Sequence, residues 1–123
     1  MMKIFRYYYN KTKTFRKAGF LTRVGDIIEV HDNHRDILET LTKYFDDELP
    51  FPDDRLFDLS RNGIRMTSWF TSVGNEKFKT HISRINKYIK KKLNQNMICD
   101  VRDISENDKD ILYQDKYQVT LKE

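Results

Sequence analysis

The chain has 123 residues, of which 38% are hydrophobic, 34% charged and 13% aromatic. This length suits a single domain spanning residues 1–123 and is short for two ordinary domains. The only cysteine, Cys99, excludes an internal disulfide and a zinc site built from cysteines. No apolar run approaches the roughly 18 residues that cross a bilayer, and the first residues lack the apolar region of a signal peptide. We therefore expect a cytoplasmic protein that does not contact membranes.

The net charge of +4 conceals a segregation of charge along the chain. Residues 1–23 hold seven basic and no acidic side chains, and residues 26–58 hold eleven acidic and three basic ones. Residues 61–92 return to nine basic and one acidic, and residues 99–123 carry seven acidic and four basic. Such blocks favour either a charged partner or pairing between the blocks.

The N-terminal stretch from Lys3 to Tyr9 is rich in aromatic residues and predicts a strand with alternating faces. One face would carry Phe5, Tyr7 and Tyr9, and the other Ile4, Arg6 and Tyr8. A turn is expected over residues 10–14. Residues 15–23 are ambiguous, and Gly19 predicts a kink or a turn within them.

The acidic block predicts a strand over 26–31 and then a helix capped by Asn33. An apolar stripe at helical spacing supports this helix: Ile37, Leu38, Leu41, Tyr44 and Phe45. Pro50 and Pro52 would end it. Residues 55–59 suit a short helix or a strand, Arg61-Asn62-Gly63 a turn, and residues 64–70 a strand.

The strongest pattern lies over residues 75–95. Five apolar residues recur at steps of three and four and predict one buried stripe of a helix: Phe78, Ile82, Ile85, Ile89 and Leu93. Asn75 suits the N-cap, and the run Lys90-Lys91-Lys92 would lie at the helix C-terminus, where the dipole favours cations.

The remaining residues predict a strand over 97–104, a loop over 105–110 and a last strand over 111–121 that bends near Asp115. Cys99 would alternate with Met97 and Val101 as a core thiol. The predicted fold is therefore α+β, with two helices packed on a mostly antiparallel sheet as a two-layer single domain.

Two basic regions have the composition of a nucleic-acid surface, in which aromatic rings stack on bases and cations contact phosphates. The candidate binding residues are Arg6, Tyr8, Lys11, Lys13, Arg16, Lys17, Lys77, Arg84, Lys87, Lys90 and Lys91. The same residues suit a core strand and a solvated helix end, or a helix whose cations pair with the acidic block.

The acidic segment 46–48 lacks the spacing of a calcium loop. His31 and His34 are spaced as two metal ligands, but no third ligand is evident, so we expect no metal and no other cofactor. The common nucleotide-binding and hydrolase motifs are absent. An enzyme is therefore the less favoured interpretation.

In size and in its Lys, Asn, Asp and Tyr content, the chain resembles small accessory proteins of bacteriophages and other mobile elements. These include inhibitors of host defence such as anti-CRISPR proteins. The resemblance implies stoichiometric contact with nucleic acid or with a host protein that handles nucleic acid.

A second resemblance is to ADP-ribosyltransferases, through Ile4-Phe5-Arg6 and Ser68-Trp69-Phe70-Thr71-Ser72. In that family a first-strand arginine holds NAD, and a Ser-Thr-Ser-like motif follows on a middle strand. The family's catalytic glutamate would be expected near Tyr117-Gln118-Val119, where this chain has Gln118, and Glu123 is terminal. The first hypothesis is thus a small basic binding protein. The alternatives are an ADP-ribosyltransferase-like enzyme using NAD and an oligomeric structural or immunity protein.

Overall fold

The computed structural model describes residues 1–10, 17–50 and 54–123, with the backbone alone described at residues 17, 18 and 54. It confirms the α+β class. Six strands are described: β1 (Met2–Asn10), β2 (Lys17–Gly19), β3 (Met66–Thr71), β4 (Ile98–Ile104), β5 (Ile111–Gln114) and β6 (Gln118–Lys122). The described helices are α1 (Phe20–Val30), α2 (Arg35–Glu48), α3 (Asp54–Arg61) and α4 (Ser72–Leu93), with a 3-10 turn over Asp32–His34.

The sheet follows the order β2-β1-β3-β6-β5, and β4 also pairs with β1. Strand β1 is antiparallel to β2 and to β3, and β6 is antiparallel to β3 and to β5. The chain forms two compact units, and β1, α4 and β4 each continue from one unit into the other.

The first unit comprises Met1–Arg6, Leu49–Lys77 and Val101–Glu123. Its apolar core is centred on four buried residues: Ile4, Ile104, Val119 and Leu121. Met2, Trp69 and Ile111 pack against them. The strand registers place Ile4, Trp69, Val119 and Leu121 on one face of the sheet, where this core lies.

The second unit comprises Tyr7–Glu48 and Phe78–Asp100, and its core is helical and aromatic. Phe45 of α2 lies between Phe20 of α1, at 5.2 Å between ring centroids, and Phe78 of α4, at 5.0 Å. Tyr44 stacks on His81 at 3.9 Å. Offset and edge-on ring contacts of this kind add to the stabilisation that buried area provides.

The prediction of a strand over 26–31 is wrong, because these residues continue helix α1 and its C-cap. The buried residues of α1 are Phe20, Val24 and Ile27, at steps of four and three. That helical repeat begins directly after Gly19, the N-cap of α1, and a window that starts at Asp26 misses it. The described part of the chain therefore contains four α-helices rather than the two predicted, and residues 55–59 belong to α3.

Two further boundaries differ from the prediction. Helix α4 begins at Ser72 rather than after Asn75, because the Thr71 hydroxyl accepts a hydrogen bond from the Gly74 amide at 3.1 Å and caps the first turn. The last predicted strand is a hairpin, β5 and β6, whose turn holds Asp115.

The turn at Gly63 and the loop over residues 105–110 agree with the sequence. Gly63 has a φ of 84°, a conformation that favours glycine, and its amide bonds to the Ser60 carbonyl oxygen at 3.1 Å. Of the turn predicted over residues 10–14, Asn10 is the last residue of β1, and the other four residues lie outside the described part of the chain, as does Pro52.

Candidate nucleic-acid interface

Helix α4 is anchored by its apolar stripe, as the spacing predicted. Phe78, Ile82, Ile85 and Ile89 are buried, and Leu93 at the last position is half-buried. Because these residues fix the rotation of the helix about its axis, the residues on the opposite side must face solvent.

That opposite side of α4 within the second unit is cationic. Arg84, Lys87, Lys90 and Lys91 are all exposed. Arg84, Lys87 and Lys91 lie at steps of three and four residues, so they form one stripe over about two helical turns. We call these three residues the cationic stripe.

The cationic stripe makes no ion pair with an acidic side chain in the part of the chain that the structure describes. Within the acidic block, Arg35 contacts Asp32 at 2.7 Å and Lys43 contacts Asp47 at 3.7 Å. The described contacts thus pair none of the three residues of the cationic stripe with the acidic block.

Sequence reasoning missed two hydroxyl groups beside the cations. Thr80 and Ser83 are exposed on α4, and Thr80 lies four residues before Arg84, so it extends the stripe by one turn. Hydroxyl side chains donate hydrogen bonds to phosphate oxygens. The repeat of polar positions at 80, 84, 87 and 91 was visible in the sequence.

Lys77 belongs to the first unit and is engaged there. Its ammonium lies 5.1 Å from the centroid of the Tyr117 ring, and Lys116 lies 5.7 Å from the same ring. A cation over an aromatic face is attracted by the ring quadrupole. Lys77 is half-buried, so we do not include it in the cationic stripe.

Two of the β1 tyrosines, Tyr8 and Tyr9, are packed inside the protein and do not form an open stacking surface. Tyr8 and Tyr9 are only 5% and 1% exposed. The Tyr8 hydroxyl contacts Asp100 at 3.5 Å, and that of Tyr9 donates to Asn86 at 3.2 Å. Burial raises the pKa of Tyr9 to about 12, although the charge of Arg23 acts to lower it. The ring of Tyr8 is therefore not accessible for stacking on a base.

The remaining N-terminal candidates divide into two groups. Arg6 is half-buried on β1, and Lys17 lies on β2 by its backbone. Lys11, Lys13 and Arg16 lie outside the described residues.

The histidines beside α2 are involved in side-chain contacts. His34 Nδ1 lies 2.6 Å from the Tyr88 hydroxyl, and its ring packs edge-on to that of Tyr88 at 5.6 Å. His31 is exposed, and its ring centroid lies 6.1 Å from that of His34. Among the described residues, no three His, Cys, Asp or Glu side chains form a group that could hold a metal ion.

The residues that resemble an ADP-ribosyltransferase lie on neighbouring strands but on different faces. Strand β3 pairs with β1 and with β6, so the strands bearing Arg6, Ser68 and Gln118 are adjacent. Residues directly opposite on paired strands share a face, as do alternate residues of one strand. The registers Ile4 to Thr71 and Phe70 to Gln118 place Arg6 on the Ile4 face, whereas Ser68 and Gln118 share the other.

Both residues on that other face are held by internal hydrogen bonds. Ser68 Oγ lies 2.9 Å from the Thr120 hydroxyl oxygen. The buried Gln118 side chain donates to Asp115 at 3.1 Å and also to the Pro50 carbonyl. The register thus does not bring Arg6, Ser68 and Gln118 together into one NAD pocket.

Asp115 organises the hairpin between β5 and β6. Burial acts to raise the pKa of its carboxyl, but hydrogen bonds outweigh it and hold the pKa below the ordinary value. The donors are the Tyr113 hydroxyl at 2.6 Å, the Tyr117 amide at 2.7 Å, and the backbone and side-chain amides of Gln118 at 3.1 Å each. Because every donor belongs to the same hairpin, the role of Asp115 is structural.

Cys99 is exposed, so the prediction of a core thiol is wrong. It does alternate with Val101, which is also exposed, whereas Ile104 on the other parity of β4 is buried. The alternation was predicted correctly, but the wrong face was assigned to the core.

No model of a known protein family matches this chain, and no curated protein or solved structure was found to be similar to it. Among the described residues, no helix combines the length and the apolar composition needed to cross a membrane.

Proposed function

We propose that this protein is a small binding protein that contacts nucleic acid, or a protein loaded with nucleic acid, through the cationic stripe of α4. The observation that carries the proposal is the exposure of Arg84, Lys87 and Lys91 on one side of a core-anchored helix, without an ion pair in the described chain. Exposed cations on a rigid helix can meet several phosphates without reordering the backbone.

The chemistry of the stripe favours binding that does not depend on base sequence. Lysine and arginine charges that contact phosphates position a nucleic acid but read no base. The aromatic rings of Tyr8 and Tyr9, which could have stacked on bases, are buried. We therefore expect similar affinity for different sequences, and a strong dependence on salt.

The role we propose for this contact is that of an accessory protein of a phage or other mobile element, acting in the cytoplasm as an inhibitor of host defence. Support comes from the small size, the basic net charge and the single cysteine of the chain. A host protein that handles nucleic acid is the alternative target within this role.

The direct test is a titration of the protein with labelled single-stranded and duplex DNA and RNA, followed by fluorescence anisotropy at low and near-physiological salt. Release of counterions gives a log–log slope of about −0.9 for each duplex phosphate neutralised and about −0.7 for single strands. Lys87→Glu combined with Lys91→Glu should weaken binding to all sequences and flatten the slope by about two units.

A matched control distinguishes the effect of losing the cationic stripe from the effect of changing the net charge. Lys109 and Lys122 are exposed in the first unit, and the double change Lys109→Glu with Lys122→Glu alters the net charge equally. This control should retain most of the affinity. Equal losses in both double variants would show a response to net charge alone and overturn the assignment to α4.

Thermal melting followed by circular dichroism shows whether the charge-reversal variants remain folded. Exposed charges contribute little to folding, although a glutamate near the C-terminus of α4 loses about 0.3–1 kcal/mol of dipole interaction. The melting temperature of the α4 variant should thus fall only slightly. Binding that is absent at low salt, or indifferent to salt and to both substitutions, would refute the nucleic-acid proposal.

A further inference from the structure

Three strands have a single partner among the described residues, namely β2, β4 and β5. Two of them are poor templates for a further strand. Strand β2 has three residues, and β5 carries an irregularity between Ile111 and Tyr113. In addition, the Arg55 guanidinium donates to the Leu112 carbonyl oxygen of β5. Short length, bulges and carbonyls bonded by side chains are features that keep edge strands from pairing with other chains.

Strand β4 differs from both. It has seven residues, and in the described part of the chain only β1 pairs with it. At its centre Val101 is 54% exposed, with Cys99 and Asp103 exposed on the same face. A long strand with one described partner and an exposed apolar centre offers backbone groups to a further strand.

The charges of β4 make it complementary to itself. If two copies of β4 pair antiparallel with Val101 opposite Val101, Asp100 of each copy lies opposite Arg102 of the other. Opposite charges in directly opposed positions stabilise such a pair, and like charges destabilise it. A register shifted by one residue loses both charge pairs and turns the side chains of the second strand to the opposite face of the sheet.

From this pattern we propose that a second copy of the chain binds along β4, with the two strands antiparallel and centred on Val101. Asp100 is already engaged within its own chain, where the Tyr8 hydroxyl contacts one of its oxygens at 3.5 Å. A carboxylate accepts several hydrogen bonds, so the guanidinium of the second copy's Arg102 can bond to the same group. The contact is independent of the cationic stripe, so it stands whether or not the protein binds nucleic acid.

Charge reversal with rescue tests the pairing. Seven residues from each strand make a small interface, so we expect a weak dimer whose sedimentation coefficient rises with protein concentration. Arg102→Asp replaces two attractive pairs with two repulsive ones and should raise the dissociation constant tenfold or more, as about 1.4 kcal/mol corresponds to tenfold. Arg102 is exposed, so this variant should fold normally.

The double change Asp100→Arg with Arg102→Asp restores both charge pairs in reversed order and should restore the dimer. Asp103→Arg is the matched control. Residue 103 lies opposite Cys99, so this substitution changes no charge pair. Failure of the double variant to recover, with an unchanged melting curve, would refute this register.

Cross-linking gives an independent measurement of the register. In the proposed pair Asp103 lies opposite Cys99, within the separation that a disulfide spans. Asp103→Cys should therefore form disulfide-linked dimers under oxidised glutathione. Wild type should not, because its two Cys99 residues are about 13 Å apart along the strands.

Asp103→Cys combined with Cys99→Ser should also stay uncross-linked and serves as the control. A wild-type protein that is monomeric at every concentration, or an Asp103→Cys variant that forms no more cross-links than this control, would overturn the proposal.

Discussion

Substitution of Gly74 by alanine provides a sharp test of the packing in the first unit. Gly74 is the third residue of α4 and is buried. A Cβ atom at this position would overlap the Tyr117 carbonyl oxygen and would lie 2.8 Å from the carbonyl carbon and 3.0 Å from Cα of the same residue. These are backbone atoms, so relief requires the turn between β5 and β6 to move.

Gly74→Ala should destabilise the protein, although helix propensity alone would predict stabilisation. Alanine in place of glycine within a helix normally stabilises by about 0.5–1 kcal/mol. Here overpacking costs about 1–3 kcal/mol. Displacing Tyr117 also weakens the hydrogen bond from the Thr71 amide to its carbonyl oxygen, 2.9 Å long, which is worth about 0.5–1.5 kcal/mol. The net effect of Gly74→Ala should be destabilisation by about 0.5–4 kcal/mol.

Gly25 supplies the matched control, because it lies in α1 and a Cβ added there would meet no atom of another element within 4 Å. Gly25→Ala should stabilise by up to about 1 kcal/mol. Urea denaturation of the wild type and the two variants gives the comparison, and hydrogen exchange should show faster exchange of the Thr71 amide in Gly74→Ala alone. A midpoint of Gly74→Ala at or above that of the wild type would refute the reasoning.

Four other outcomes are expected from the described contacts. Ile85 is fully buried, so Ile85→Ala should lower the free energy of unfolding by about 2–5 kcal/mol in chemical denaturation. Ile85→Lys should unfold the protein, and an unchanged melting curve for this variant would show that Ile85 does not lie on the buried face of α4. The pKa of Asp115 is lowered from 3.8, so its stabilisation is present above that value and lost as the pH falls through the folded pKa. The stability difference between wild type and Asp115→Asn should accordingly narrow below about pH 4, and a constant difference would argue against this contribution. Because Arg6 and Ser68 lie on different faces, wild type should show no NAD cleavage by chromatography, and cleavage lost in both Arg6→Ala and Ser68→Ala would favour the enzyme. The exposed Cys99 thiol should react with a thiol reagent without denaturant, and protection until unfolding would show that it is covered.

The local pattern of the sequence was sufficient to identify helix α4 and its buried stripe. Phe78, Ile82, Ile85 and Ile89 repeat at helical spacing over three turns, and no other regular structure places them on one face. The exposed cations opposite them follow from the same geometry. The turn at Gly63 was also predictable, since its positive φ is a property of few residues.

Patterns confined to a few residues predicted secondary structure less reliably. Apolar and polar residues alternate over 28–31 as in a strand, and only the longer repeat from Phe20 to Ile27 reveals helix α1. The start of α4 at Ser72 depends on a cap by Thr71, which the Asn75 pattern obscured. In both cases, residues that determine the secondary structure lie outside the segment from which it was predicted.

Tertiary structure alone decided which face of a strand is covered and which residues meet. Alternation placed Cys99 and Val101 together, but burial of Ile104 on the other parity of β4 leaves both exposed. The separation of Arg6 from Ser68 and Gln118 follows from the strand registers, which depend on pairing between distant segments. Periodicity along one strand specifies two faces, and only the packing of other elements against one of them determines which side faces the core.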